Sequence, residues 1–375
     1  MAYRVLECNV DDIGKSGVYS LVRNVIINND RDNGVDIDIA CINPFEDQKD
    51  INEFKKYHCN VYFVGANNSK IMRYINVYNK TKALLQRRHY DCVHIHSDIA
   101  FKVYPFLKAA KAIGVKKIIV HSHASSIDGK YRRIKDILHH HYKAYVSENA
   151  TDLVACSDVA AQWMFDQVKQ NEVKIINNGI DLQKFAFNSE TRNRVRKQLG
   201  IGDDEILIGH VGRMAYQKNH QFLVQVFAKF HQEHQNSKLL LVGEGPLKGD
   251  IQTEVEQLGL QDSVIFYGTS NNVSDLYQAM DIFALPSYFE GLPISGVEAQ
   301  ASGLPVLFAD TITKSAAITD NCQFVPIDGE GATFKWVKQL SNFIGHKHQY
   351  TTDEMKSKGF SIKYTINQFL SLYTK

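Results

Sequence analysis

Two glutamates with seven residues between them, Glu290 and Glu298, stand in the run Pro286-Ser287-Tyr288-Phe289-Glu290-Gly291-Leu292-Pro293-Ile294-Ser295-Gly296-Val297-Glu298. An apolar strand over 282–286 precedes the first, and a helix opening near Ile294 carries the second. Carboxylates accept hydrogen bonds from sugar and ribose hydroxyls, and a helix N-terminus favours phosphate. Upstream, a strand ending at Gly212 runs into Arg213-Met214-Ala215-Tyr216-Gln217-Lys218-Asn219. Arg213 offers a planar fork and Lys218 a point charge, so the two suit a diphosphate. They would also stabilise negative charge on a diphosphate that departs. A basic loop alone is an ordinary solvated surface. Beside the paired carboxylates it points to a site for a nucleotide sugar.

Other candidates fall in the first half of the chain. Asp12-Ile13-Gly14-Lys15-Ser16-Gly17 lies between a strand and a helix, where glycine lets the backbone approach phosphate or acceptor. It is neither a Walker loop nor a dinucleotide fingerprint, and a plain strand-to-helix turn is the competing reading. A strand over 117–121 leads into His121-Ser122-His123, at the end where ligands gather. His123 is read as a polar contact to a reacting sugar, with His121 the alternative and a structural role the competing reading. His94 and His96 end a neighbouring strand and are read mainly as structural.

Metal binding is not expected. The consecutive His139, His140 and His141 point different ways on a helix, and no carboxylate or cysteine completes a ligand set. Asp36-Ile37-Asp38 alternates inside a strand, so both carboxylates are expected to face solvent or a sheet edge. Gly243-Glu244-Gly245-Pro246, with residues 268–273 ending at Val273, is expected to wall a base pocket.

The elements that position these residues alternate. Strands are expected over 3–8, 35–42, 60–64, 92–96, 117–121, 153–156 and 173–176, and again over 206–211, 238–242, 263–267, 282–286 and 305–309. Helices are expected between them, including 18–28, 71–88, 100–112, 134–148, 158–165, 221–234, 248–258, 273–279 and 294–301. This order argues for parallel sheets covered on both faces. Turn composition at Asn177-Asn178-Gly179-Ile180-Asp181 marks a junction. The expected class is α/β, with two Rossmann-like domains facing across a cleft where ligands bind. Their bounds are 1–185 and 186–355, with an amphipathic segment 356–375 returning to the first.

The 375 residues leave room for two cores. The apolar runs are strand-sized and far below a membrane span, and the N-terminus enters a strand at once, so no signal peptide is expected. The six cysteines are scattered without a Cys-x-x-Cys pair, which suits reduced core thiols in a cytoplasmic protein. Net charge is +2, but residues 1–180 hold 25 Lys+Arg against 20 Asp+Glu, and the remainder 18 against 21. Basic residues interleaved with apolar ones over 70–88 and 130–143 suit contact with an anionic lipid surface or a lipid-diphosphate acceptor, against the reading of plain solvated helices.

Taken together and in order, these motifs resemble the retaining glycosyltransferases of family 4, also called group 1. The resemblance rests on Glu290 and Glu298 in their Ser-x-x-Glu-Gly-x-Pro context, Gly212-Arg213 with Lys218-Asn219, and Asn178-Gly179-Ile180-Asp181 with Phe185. Gly243-Glu244-Gly245-Pro246 and His121-Ser122-His123 complete it. It spans nearly the whole chain and implies the GT-B fold and hexosyl transfer, most similar to bacterial members that build exopolysaccharide or capsule. The resemblance implies that Arg213 and Lys218 grip the donor diphosphate and Glu298 binds ribose. It further implies that Glu290 with the backbone of Gly291, Leu292, Pro293 and Ile294 holds the transferred sugar, His123 contacts that sugar, and Gly17 lies near the phosphates. Ser16-Gly17 replaces the adjacent glycines common in the family. A UDP-sugar donor, a glycan or lipid-linked acceptor and no metal cofactor are expected, with nucleic acid excluded. A nucleotide-sugar epimerase and a non-catalytic nucleotide-sugar-binding subunit are the rival readings.

Overall fold

A computed structural model describes residues 2–13, 17–29, 34–66, 70–129 and 131–374. Gly14, Lys15 and Ser16 of the first glycine loop, and Lys130 of the second basic segment, lie outside the described residues. The chain forms two compact units, residues 1–179 with 362–375, and residues 180–361.

The first unit is built on seven parallel strands, β1 (Tyr3–Cys8), β2 (Val35–Cys41), β3 (Val61–Phe63), β4 (Cys92–Ser97), β5 (Lys117–Ser122), β6 (Asp152–Ala155) and β7 (Lys174–Ile175). Their order is β3-β2-β1-β4-β5-β6-β7. The central strands are buried along nearly their whole length, as helices on both faces of a parallel sheet require. In the second unit six parallel strands stand in the order β10-β9-β8-β11-β12-β13. They are β8 (Ile206–Val211), β9 (Ser237–Val242), β10 (Val264–Gly268), β11 (Ile282–Leu285), β12 (Val306–Ala309) and β13 (Cys322–Val325). In both sheets the sequence order reverses at the first strand of the unit, between β1 and β4 and between β8 and β11. Such reversals splay the following loops apart and leave a crevice.

Three expectations need correction. The units divide at 179/180 and 361/362, not at 185/186 and 355/356. Phe185 is buried in the second unit, where its carbonyl accepts from Gln278 Nε2 at 3.1 Å and its ring packs edge-on against Tyr277. The segment Thr352–Ser357 stays with it because Met355 is fully buried and Thr351 Oγ1 bonds the Gln300 carbonyl. Second, β13 was not among the expected strands, being a four-residue stretch with three half-buried residues and an exposed Gln323. Third, Asp38 does not face solvent as Asp36 does. It is buried and accepts from Tyr90 Oη at 2.7 Å and from the Asn60 backbone and side chain at 2.8 Å.

The closing helix Ile362–Thr374 packs against Gly17–Ile27 and completes the first core through Ile366, Phe369, Leu372 and Tyr373. Phe369 has no solvent exposure. Phe369→Ala should therefore destabilise this unit by about 3–5 kcal/mol, the usual cost of emptying a buried aromatic site. Urea unfolding followed by a probe in residues 1–179 would measure it, and an unchanged midpoint would contradict the packing.

Candidate donor site and a buried histidine cluster

At the reversal point of the second sheet, the loop after β8 meets the loop after β11. Tyr288 N donates to the Gln217 carbonyl at 2.9 Å, and Gln217 Nε2 donates to the Phe289 carbonyl at 2.9 Å. Lys218 Nζ then sits 2.6 Å from Glu290 Oε1, while Gln217 Nε2 reaches Glu290 Oε2 at 3.1 Å. Glu290 is 7% exposed, so its charge is held by this pair rather than by water. Tyr216 and Tyr288 stack over the same junction with ring centres 4.6 Å apart. Arg213, on the same loop, is exposed and, among the described residues, has no side-chain partner, so its guanidinium is not committed to a carboxylate.

The loop after β9 lies directly on this one. Met214 N donates to the Glu244 carbonyl at 3.0 Å and Leu247 N to the Met214 carbonyl at 3.0 Å. A side chain at Gly243, whose φ is +136°, would place its Cβ 2.1 Å from the Gly212 carbonyl oxygen, and one at Gly245 would lie 2.3 Å from that of Met214. Only glycine allows the two loops to touch.

The stretch Gly291, Leu292 and Pro293 turns into the helix Ile294–Ala301, with Pro293 at its cap. Glu298 lies in that helix and accepts from Tyr277 Oη at 2.9 Å, the same hydroxyl lying 3.1 Å from the Ser295 carbonyl. Burial raises the Glu298 carboxyl to about 7, against the lowering effect of the Tyr277 bond and the more distant Lys184 and Lys218. Val273 opens the helix that carries Tyr277. Thus Arg213, Lys218, Glu290 to Ile294 and Glu298 occupy the loops and helix start at one end of the sheet. Gln217 and Tyr277 were not anticipated. Their signal is weak, since an amide in a loop and an aromatic in a helix are common.

In the first unit, Gly17 begins the exposed start of Gly17–Ile27, and His123 follows β5. His123 N donates to the Ser97 carbonyl at 3.1 Å, which ties it to the end of β4. The sequence reading of His94 and His96 as mainly structural is incomplete. Parallel pairing sets Glu7 beside His94 and His96 beside His121. His96 Nε2 lies 2.6 Å from Glu7 Oε2, and His96 Nδ1 lies 2.8 Å from His123 Nε2. His94 Nδ1 lies 3.2 Å from Glu7 Oε2, and the Tyr373 hydroxyl donates to Glu7 Oε1. Burial alone would raise the Glu7 carboxyl, but its interactions with His94 and His96 outweigh it and hold the group well below its usual range. Burial lowers His96 to about 4, and burial lowers His121 and His123 well below the ordinary imidazole value.

Both nitrogens of His121 and Nε2 of His94 are buried without a partner among the described residues. His94, His96 and His121 are the group among the described residues with metal-ligand spacing, their nitrogens lying within 4.8 Å of one another. Both nitrogens of His96 are already engaged, so an ion there would have to break its bond to Glu7 or to His123. His139 is structural. Its Nδ1 accepts from Ala100 N at 3.0 Å, its Nε2 donates to the Trp163 carbonyl at 2.9 Å, and its ring stacks on Trp163.

Two family models match the chain. "Glycosyltransferase Family 4" matches residues 26–184 and "Glycosyl transferases group 1" matches residues 191–325. With these loops and sheets in place, the chain belongs to the group 1, family 4 glycosyltransferases. It carries their GT-B fold of two Rossmann-like units. The EpsF protein of Bacillus subtilis (strain 168) is 35% identical over 243 residues, which cover 64% of this chain and 62% of that protein. An uncharacterized glycosyltransferase of Methanocaldococcus jannaschii, MJ1607, is 34% identical over 37% of this chain and 36% of its own length. The chain thus spans less than two thirds of the length of these two relatives. A UDP-Gal:alpha-D-GlcNAc-diphosphoundecaprenol alpha-1,3-galactosyltransferase of Escherichia coli is 27% identical over 77% of this chain and 76% of its own. Among solved structures, HepE of Anabaena in complex with UDP and glucose superposes with a TM-score of 0.76 at 15% identity, covering 98% of each chain. Sucrose-phosphate synthase of Thermosynechococcus elongatus gives 0.77 at 17% identity, covering 99% of this chain and 98% of that one.

The raised Glu298 carboxyl carries a linkage consequence. Its folded value, about 7, exceeds its ordinary 4.5. The stability it contributes is present below about 4.5 and is lost as pH rises through 7. Glu298→Gln keeps an acceptor for Tyr277 and removes the charge, so its Tm relative to wild type should climb between pH 5 and pH 8. A pH-independent difference would contradict the buried, raised carboxyl.

Proposed function

We propose that the chain is a retaining glycosyltransferase that moves a hexose from a UDP-sugar to a glycan or lipid-diphosphate-linked acceptor, in exopolysaccharide or capsule assembly. The observation that carries this reading is the gathering of Arg213, Lys218, Glu290 and Glu298 around one sheet reversal point. UDP in the HepE structures and UDP-Gal in the name of the Escherichia coli relative support the choice of nucleotide.

In this reading Arg213 and Lys218 hold the diphosphate and offset the charge that grows as the anomeric C–O bond breaks. Glu298 takes the ribose hydroxyls. Glu290 and the backbone of Gly291 to Ile294 hold the sugar, whose hydroxyls can share Glu290 with Lys218. His123 meets the sugar and Gly17 the phosphates. The acceptor attacks from the face the diphosphate leaves, and the departing oxygen takes its proton. Two cations do the electrostatic work of a divalent ion, so the proposed reaction needs no metal.

Arg213→Ala should lower kcat by about 10²–10³-fold, the scale for removing one preformed charge-stabilising group, with the fold intact by circular dichroism. Unchanged turnover would end the diphosphate assignment. Free nucleoside diphosphate released from a panel of UDP-, GDP- and ADP-sugars tests the donor. Release from a UDP-hexose, abolished in Glu290→Ala, is expected. Conversion of the donor to an isomer would favour the epimerase reading, and tight binding without turnover, even with acceptors supplied, the binding-subunit reading.

We further propose that the enzyme works in the cytoplasm against an anionic membrane face. No described helix is long and apolar enough to cross a membrane. The helix Arg132–Asn149 instead exposes Ile134 and Ile137 at 58% and 69%, beside exposed Tyr131, Arg132 and Arg133. Wild type should sediment with vesicles containing phosphatidylglycerol, and an Ile134→Asp/Ile137→Asp variant should not. Equal sedimentation, or none with wild type, would remove this contact.

A further inference from the structure

Resting on the reading that His123 meets the substrate, we infer that Glu7 and His96 are positioning residues that fix His123 with its proton on Nε2 and present its Nδ1 as an acceptor for a substrate hydroxyl. A carboxylate has no proton to give, so the 2.6 Å contact to Glu7 sets the proton of His96 on Nε2. A neutral imidazole then has only a lone pair at Nδ1. The 2.8 Å contact to His123 can be made in one direction, with His123 Nε2 donating. The second nitrogen of His123 is left as a lone pair, and among the described residues it has no hydrogen-bond partner. The reverse orientation would set two lone pairs against each other, at 2.6 Å, between His96 and an ionised Glu7.

The surroundings hold this direction. Glu7, His94 and His96 are essentially unexposed, whereas His123 is partly open to solvent. The Tyr373 hydroxyl and His94 Nδ1 both point to Glu7, which keeps the carboxylate ionised and its orientation fixed. Burial, and then the neighbouring His94, disfavour a proton on both His96 nitrogens at once. An unprotonated Nδ1 repels a phosphate oxygen and accepts from a hydroxyl. The chain therefore assigns His123 a hydroxyl of the transferred sugar or of the acceptor, and excludes a direct phosphate contact.

Two measurements separate this inference from the function it rests on. Long-range proton–nitrogen spectra of protein labelled with 15N-histidine read the tautomer with no reference to transfer. His96 and His123 should both be Nε2–H. Glu7→Gln replaces a pure acceptor by an amide that can face His96 either way, so both rings should become tautomer mixtures. The same variant should lose about 10- to 100-fold in kcat, the scale for a group that orients a working histidine, with donor KM little changed. His123→Asn, whose amide oxygen falls near the Nδ1 position, should retain at least about tenfold more kcat than His123→Gln, which reaches the Nε2 position. A wild-type His123 carrying its proton on Nδ1, or a Glu7→Gln protein with unchanged tautomers, would overturn the inference. So would a stoichiometric, chelator-resistant metal lost in His94→Ala, since His96 would then be a ligand. Correct tautomers with no effect of either His123 variant on transfer would retain the chain of bonds but overturn its substrate role.

Discussion

A parallel strand can be followed only by a crossover that returns over the sheet, and everything placed at this protein's candidate sites depends on that constraint. It sends every loop after a strand to the same end of its sheet. Where strand order reverses, two of those loops start from adjacent strands. In the second unit they supply Arg213 and Lys218 from one side and Glu290 from the other. Residues more than seventy positions apart thereby approach to within 2.6 Å, with no residue between them specifying the distance.

Buried charge is handled differently in the two units. Glu290 is met by a direct cation at 2.6 Å, whereas Glu298 has a phenol hydroxyl at 2.9 Å and its carboxyl is raised by burial to about 7. Glu7 stays ionised inside the first unit because three donors converge on it. The same physical cost of desolvation is therefore met by an ion pair, by a shift in protonation, and by a hydrogen-bond fan.

The parts legible in the sequence are those written locally. Gly-Leu-Pro after an apolar strand announces a turn into a helix, which fixes Glu290 and Glu298 on neighbouring pieces of backbone. The long apolar strands and the helices between them follow from run length and period. The parts that escaped are non-local. Asp38 looks solvent-facing until Tyr90, fifty-two positions on, is found to donate to it. Glu7 and His96 are eighty-nine positions apart, and only the β1–β4 register joins them. The junction drifted by six residues because Asn177 to Asp181 advertises a turn, whereas what holds Phe185 is a cluster around Tyr277 formed much later in the chain.

The first unit is closed by residues 362–375, with Phe369 in its core and Tyr373 on Glu7. During synthesis the first unit therefore stays unfinished, its Glu7 and histidine cluster missing its phenol cap, until residues 362–375 have been made. The unit begun first can be completed only after every residue of the other has been added.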